Sequence, residues 1–366
     1  MVKTARILGL VLGGLVVLTA VLAGVALGYR IYRQHQLAPN LAITTPNGID
    51  EHMFVEAGGI KQFITIRGQD RSNPIILFVH GGPAEAHSYF PEIYQPWEKD
   101  FTLVQWDQRG AGRTYGANPK PPANLNLAHI VDDGIEITGW LTKHLGQRKV
   151  ILLGHSWGTI VGEHMVFKRP DLFSAYVGTG QVVSWNAIVA AQYDYALSHA
   201  KEIGDNDTLK TLTEIGPPPF KDFPTYFRFQ RATRLYMAVP DIEFISRMRD
   251  LVLYAPRTAP WDVLSFNNAS LPSLMALGPD VAAADLPALG LNFPIPFFVI
   301  QGADDHVTPT DLAHSYFERI QAPKKSFFII ENAGHFAAMT EPQRFLQLLD
   351  REVRPVAVGT HGRDAS

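Results

Sequence analysis

From about Asp50 onward, short apolar runs bounded by glycine alternate with longer amphipathic stretches. Met53–Glu56 and Gln62–Ile66 read as a strand pair turning at Ala57-Gly58-Gly59. Ile75–Val79, Phe101–Trp106, Val150–Leu153, Ala175–Gly178, Pro296–Ile300 and Ser326–Ile330 are nearly continuous apolar runs, the mark of strands buried on both faces of a parallel sheet. Apolar positions spaced three and four apart predict helices over Asn126–His144, Thr159–Lys168, Pro309–Ile320 and Glu341–Val353. This alternation predicts an α/β fold with a mostly parallel, doubly wound sheet. Residues 181–290 break the pattern. They are rich in Tyr, Phe, Pro and Ala, with helical periodicity and no strand–glycine–helix unit. They predict an inserted helical cap over the C-terminal edge of the strands, where ligands bind in such sheets. The core is therefore split into residues 50–180 and 291–354, and residues 355–366 read as a flexible tail.

Ile7 to Tyr29 carry no charge, and at 1.5 Å per residue they make roughly 34 Å of helix, enough to cross a bilayer core. Lys3 and Arg6 precede the run; Arg30 and Arg33 follow it. The run exceeds the apolar region of a secretory signal, about 7–15 residues, which favours an uncleaved single-pass anchor over residues 1–36. Gly24-Val25-Ala26 keeps a cleaved signal as the alternative. With the α-amine, basic charge is slightly heavier before the run, which leans to an extracytoplasmic catalytic part. Residues 37–49 are polar, contain two prolines, and read as a tether.

Composition narrows the chemistry. The 366 residues include no cysteine, which excludes a disulfide scaffold, a cysteine nucleophile and thiolate metal sites. The 32 basic and 35 acidic residues give a net charge of −3. All four basic residues of the first 36 belong to the anchor, so the remainder stands at −7. An acidic body is a poor match for nucleic acid. No histidine–carboxylate cluster has metal spacing, no glycine-rich loop matches a phosphate cradle, and no cofactor is expected. No motif specifies an oligomeric state.

Gly154-His155-Ser156-Trp157-Gly158 fits G-x-S-x-G between a buried strand and a helix, the context in which a serine turn exposes its hydroxyl at a helix N-terminus. A serine needs a base, and the base an orienting carboxylate, in the chain order Ser…Asp…His. Asp305 follows one late strand and His335 the last, which predicts a Ser156, Asp305, His335 triad with Asp304 as the competing orienter. His80-Gly81-Gly82-Pro83 follows the third strand, and its glycines let the backbone approach a carbonyl closely. The N–H groups of Gly82 and Trp157 are the expected oxyanion donors. The buried-polar reading of Glu163, on the helix after Ser156, is favoured over a substrate contact.

Three motifs in this order, His80-Gly81-Gly82-Pro83, Trp106-Asp107-Gln108-Arg109-Gly110-Ala111-Gly112-Arg113-Thr114 and Gly154-His155-Ser156-Trp157-Gly158-Thr159, resemble those of the prolyl iminopeptidase-like α/β-hydrolases. The resemblance covers about residues 50–180 and 291–350. It implies a serine aminopeptidase that releases N-terminal residues, often proline, from short peptides. It also implies a cis bond before Pro83 and an ion-paired Arg109. Two departures stand out. Ala84 replaces the usual glycine after the proline, and the Trp-x-x-Trp-Glu cap element that helps hold the substrate ammonium is missing. Glu202, Glu214 and Glu243, with Asp222 and Asp241, are the cap acids available to substitute. The triad does not separate amide from ester, so a carboxylesterase on small or lipid-like esters is the alternative, and a non-enzymatic ligand-binding protein a more distant one. Serine at the turn argues against epoxide hydrolase or dehalogenase chemistry, which uses aspartate there.

Overall fold

The apolar runs form one eight-stranded sheet in the computed structural model, which describes residues 2–118 and 124–361. The strands are β1 (Ile49–Ala57), β2 (Ile60–Gly68), β3 (Ile75–Val79), β4 (Thr102–Trp106), β5 (Val150–His155), β6 (Phe173–Thr179), β7 (Phe297–Gly302) and β8 (Lys325–Ile330). Their order is β1-β2-β4-β3-β5-β6-β7-β8. β2 runs antiparallel to β1 and β4, and every pairing from β4 to β8 is parallel. β3 to β7 are buried along their whole length, which is why they read as unbroken apolar runs rather than alternating ones.

Helices cover both faces. Helix α1 is Val2–Leu37, α2 Leu127–Leu145 and α3 Trp157–Lys168. Between β6 and β7 lie α4 (Trp185–Ile203), α5 (Asn206–Ile215), α6 (Phe223–Thr233), α7 (Val239–Tyr254) and α8 (Pro260–Ala282). They carry a small core of their own around Tyr193, Leu212, Phe229 and Tyr236. The chain re-enters the sheet through β7, then α9 (Thr310–Arg319), β8 and α10 (Pro342–Leu348).

Two expectations about the ends need correction. Residues 355–361 are not a flexible tail: after a π-helical stretch over Leu349–Val353, helix α11 runs Arg354–His361. Pro355 lies directly behind the π-helical stretch, and Val353 and Ala357 are buried. Residues 362–366 lie outside the described residues. The segment 37–49 is not a free tether either. Leu41 is buried and its carbonyl accepts from Arg67 Nη2 at 2.5 Å, while Thr45 Oγ1 donates to the Gln69 carbonyl. Helix α1 is long and apolar enough to span a membrane, and its apolar side chains from Ile7 to Tyr32 are exposed. Its last turns nevertheless dock on the cap. Arg30 is buried and donates to the carbonyls of Leu253 and Thr258, and Gln34 Nε2 donates to Ala255 O at 2.7 Å.

Candidate active site

The sharp turn from β5 into α3 places Ser156 at φ +52°, ψ −119°, a left-handed conformation that costs a non-glycine residue about 1–3 kcal/mol. The flanking glycines are steric necessities. A Cβ on Gly154 would lie 2.6 Å from the Gly158 carbonyl oxygen, and one on Gly158 only 2.0 Å from that of Val79. Ser156 N–H donates to Thr179 O at 3.0 Å, tying the turn to the end of β6.

His335 arrives from the loop after β8. A Cβ on Gly180, the residue after Thr179, would stand 2.9 Å from His335 Cε1. The imidazole thus lies over the same strand ends that hold Ser156. Its Nδ1 is 3.0 Å from Asp305 Oδ2 and 3.2 Å from Oδ1. Asp305 is buried and takes further donors from Val307 N, Thr308 N, Thr308 Oγ1 and Gln301 Nε2 at 2.8–2.9 Å. Asp304 is exposed, so Asp305 is the carboxylate brought to the histidine. Burial opposes charge on His335, yet the Asp305 carboxylate, with Asp241 and Glu85 beyond it, outweighs burial and raises the imidazole above its ordinary value. Burial likewise works against ionised Asp305, and His335 with the surrounding donors reverses that and holds it low.

The loop after β3 packs directly on the serine turn: a Cβ on Gly81 would be 3.2 Å from Ser156 Cβ. Gly82 has φ +109°, and a Cβ there would sit 2.8 Å from the amide nitrogens of Ala84 and Glu85. The Gly82–Pro83 bond is cis, and Ala84 keeps φ +75°, a glycine-like conformation in an alanine. Trp157 begins α3, where backbone N–H groups lack intrahelical partners. Gln108 couples these two positions. Its Nε2 donates to His80 O at 2.9 Å and its Oε1 accepts from Trp157 Nε1 at 3.0 Å. Gly82, Ser156, Trp157 and Thr308 share one cavity of about 120 Å³, walled also by apolar groups such as Trp185, Ile188 and Val281 and by Gln192 and Tyr226.

Beneath the site runs a buried polar chain. Tyr316 OH and Gln181 Nε2 donate to the two oxygens of Glu163 at 2.8 and 3.0 Å. Gln181 N–H donates to Gln301 Oε1 at 3.1 Å, and Gln301 reaches Asp305. Glu163 is therefore a buried partner two residues removed from the candidate orienter, and burial pushes its carboxyl up to about 8. Arg109 forms a two-pronged pair with Asp133 of α2, both contacts at 2.7 Å, and also donates to Gly58 O.

The cap acids are not where substrate recognition needs them. Glu202 is 80% exposed beside His199, Glu214 pairs with Arg228 at the surface, and Glu243 is exposed. None lines the cavity at Ser156. Their helices turn these positions outward because the opposite faces of α4 and α5 pack the cap core and that of α7 packs the main core through Phe244, Leu251 and Val252. Asp222 caps α6 by accepting from Thr225 N. Asp241 instead grips the histidine loop, accepting from His335 N at 2.7 Å and Phe336 N at 3.1 Å.

One acid that was not among the sequence candidates lies within electrostatic reach of His335, although it does not line the cavity at Ser156. Glu85 follows Ala84 on the loop after β3. The absent Cβ of Gly82 would be 3.3 Å from the Glu85 Cβ. Its Oε1 is buried and has no hydrogen-bond partner among the described residues. Burial pushes its carboxyl up to about 7, against the pull of His335. No spacing rule marks a lone glutamate in a loop; only the folded surroundings single it out.

Comparison with known proteins agrees with this architecture. A family model described as alpha/beta hydrolase fold matches residues 74–342. The probable aminopeptidase YbaC of Bacillus subtilis (strain 168) is 31% identical over 308 residues, covering 81% of this chain and 94% of that protein. A proline iminopeptidase of Lactobacillus helveticus (strain DPC 4571) is 21% identical over 302 residues, covering 80% and 93%. Among solved structures, a proline iminopeptidase-related protein from Thermus thermophilus superposes with a TM-score of 0.59 at 17% identity, over 85% of this chain and 99% of that one. With the sheet order, the serine turn and the histidine loop in place, the chain belongs to the α/β-hydrolase family.

Proposed function

We propose that this protein is a membrane-anchored serine hydrolase that releases N-terminal residues, proline or other small ones, from short peptides. The observation that carries the reading is a strained Ser156 that shares one cavity with the N–H-bearing Gly82 and Trp157, with a His335 paired to Asp305 over the neighbouring strand end at Gly180. His335 Nε2 takes the proton of Ser156 as Oγ attacks the scissile carbonyl. The oxyanion settles on the Gly82 and Trp157 N–H groups, and the imidazolium, stabilised by Asp305, protonates the leaving amine. Water then attacks the acyl-enzyme by the same relay, so the chemistry needs no cofactor. Glu85 supplies the negative charge that the cap acids do not, facing the free ammonium of the substrate. The similarity to the probable aminopeptidase of B. subtilis supports the same direction. The exposed apolar helix α1 supports membrane attachment.

A second reading has its own observation. The cavity beside Ser156 has more apolar than polar side chains, its polar members away from the serine turn being Gln192, Tyr226 and Thr308, and it receives no carboxylate, which suits small or lipid-like esters. Hydrolysis of proline and alanine p-nitroanilides, each with a free and an acetylated amine, separates the two. Ser156-dependent cleavage of the free-amine compounds alone, absent in Ser156→Ala, is expected. Turnover of p-nitrophenyl esters with neither anilide cleaved would replace the peptidase by the esterase.

A further inference from the structure

Helix α8 (Pro260–Ala282) has a buried face of Phe266, Ala269, Ser273 and Leu277, packed against the core and the helix at Gly112–Ala117. Its opposite face is unusual for a surface helix. Trp261, Leu264, Leu271 and Met275 are 69, 60, 64 and 58% exposed. At 3.6 residues per turn, positions 261, 264, 268, 271 and 275 form one stripe, and its remaining member is the uncharged Asn268. From Trp261 to Pro279 the only charge is Asp262, which is turned inward to cap the helix through Ala259 N–H and lies 3.6 Å from Arg113. Water-facing helices carry charge on that side. At a rise of 1.5 Å per residue, the stripe is uncharged, and apolar but for Asn268, over about 21 Å.

The neighbouring contacts say what covers it. The loop between α7 and α8 is the part of the cap that the last turns of α1 grip. Arg30 and Gln34 both donate to Thr258 O, Tyr29 meets Tyr254 edge-on at 5.9 Å, and the Arg33 guanidinium stands 4.8 Å over the Tyr254 ring. Trp261 is three residues past Thr258. It therefore belongs to the same zone as Tyr29 and Tyr32, where an apolar span gives way to arginines and aromatic side chains settle at a membrane–water boundary. The stripe begins where the span ends.

We propose that the exposed face of α8 rests on the lipid bilayer as an interfacial helix, a second membrane contact that fixes the cap against the surface. The proposal rests on the anchor reading of α1. Interfacial helices bury an apolar face carrying Trp, Phe or Leu about 5–10 Å into the headgroup region, and their binding grows with the apolar area buried. One consequence concerns the site: Val281, near the end of the same helix, lines the cavity with Ser156. The docked helix thus carries one wall of that cavity to the bilayer.

The absence of native cysteine makes the test direct. Full-length single-cysteine variants Leu264→Cys and Leu271→Cys, labelled with an environment-sensitive NBD fluorophore, are reconstituted into phosphatidylcholine–phosphatidylglycerol vesicles with or without nitroxide-bearing lipid. Leu15→Cys reports the span and Lys210→Cys an exposed site on α5. Blue-shifted emission at 264 and 271, with lipid quenching several-fold above that at 210, is expected. Quenching at 15 but none at 264 or 271 would overturn the α8 contact and leave the anchor standing. A blue shift without lipid quenching would mean that a second copy covers the face, and would also overturn it. No lipid quenching at 15 would remove the anchor reading, and this proposal with it.

Discussion

Replacing Glu85 by glutamine isolates amine recognition from the chemistry of the triad. The substitution keeps the shape and removes a negative charge whose Oε1 has no donor. In the proposed reaction a substrate ammonium would supply that donor. A hydrogen bond to a charged group contributes about 1.5–3 kcal/mol, so the variant should lose about 10- to 150-fold in kcat/KM on free-amine p-nitroanilides, at 1.4 kcal/mol per factor of ten. N-acetylated anilides and esters lack the charge and should change little. The pH profile adds a sign. Burial holds the Glu85 carboxyl near 7, so kcat/KM for free-amine substrates should climb as pH rises through that value and Glu85 ionises. The variant should lack that increment. The competing role is a purely electrostatic one: Glu85 raises the His335 imidazole, so its loss would move the profile of every substrate to lower pH. Equal losses on free-amine and blocked substrates would refute amine recognition by Glu85.

Glu163→Gln should change how stability depends on pH. Unfolded, this carboxyl loses its proton near its ordinary 4.5; folded, burial holds the proton until about 8. The native state binds more protons across that window, so stability falls as pH rises, by at most about 1.4 kcal/mol per unit. Denaturant unfolding of the detergent-solubilised protein at pH 6 and 8 should show a steeper fall in the wild type than in the variant, which keeps the smaller contribution of Glu85; equal slopes contradict it. Asp305→Asn should lower kcat by about 10³–10⁴-fold with little change in KM, because an amide facing Nδ1 favours the tautomer whose Nε2 is already protonated. Arg109→Met leaves Asp133 buried and unpaired and should cost about 3–5 kcal/mol of stability; the double variant Arg109→Met/Asp133→Leu should recover most of it. An uncorrected loss in the double variant would show that the pair is not the source.

Much of the sheet can be read from the chain because burial on both faces leaves unbroken apolar runs, as at Ile75–Val79 and Phe297–Ile300. β1 is longer than its sequence signal. As an edge strand it alternates, and Asp50, Glu51 and His52 hide its first half. The serine turn announces itself because Gly154 and Gly158 admit no side chain. The choice of Asp305 over Asp304 depends on which of two adjacent side chains points inward, and periodicity in a loop does not determine that. Recognition residues are harder still. Glu202, Glu214 and Glu243 are acids on cap helices, and only packing decides which face they take. Glu85 has no local signature, since its isolation arises from Gly82, Tyr94 and His335 meeting around it. Arg30 looked like a flanking charge of the anchor, and its buried bonds to Leu253 and Thr258 join positions more than two hundred residues apart.

The most direct test of the account is covalent capture of the nucleophile. The full-length protein in detergent would be treated with a fluorophosphonate, digested, and mapped by mass spectrometry, with Ser156→Ala and His335→Ala in parallel. The account predicts a single adduct on Ser156, absent in the first variant and formed far more slowly in the second. An unreactive wild type, or an adduct on any other residue, would contradict it.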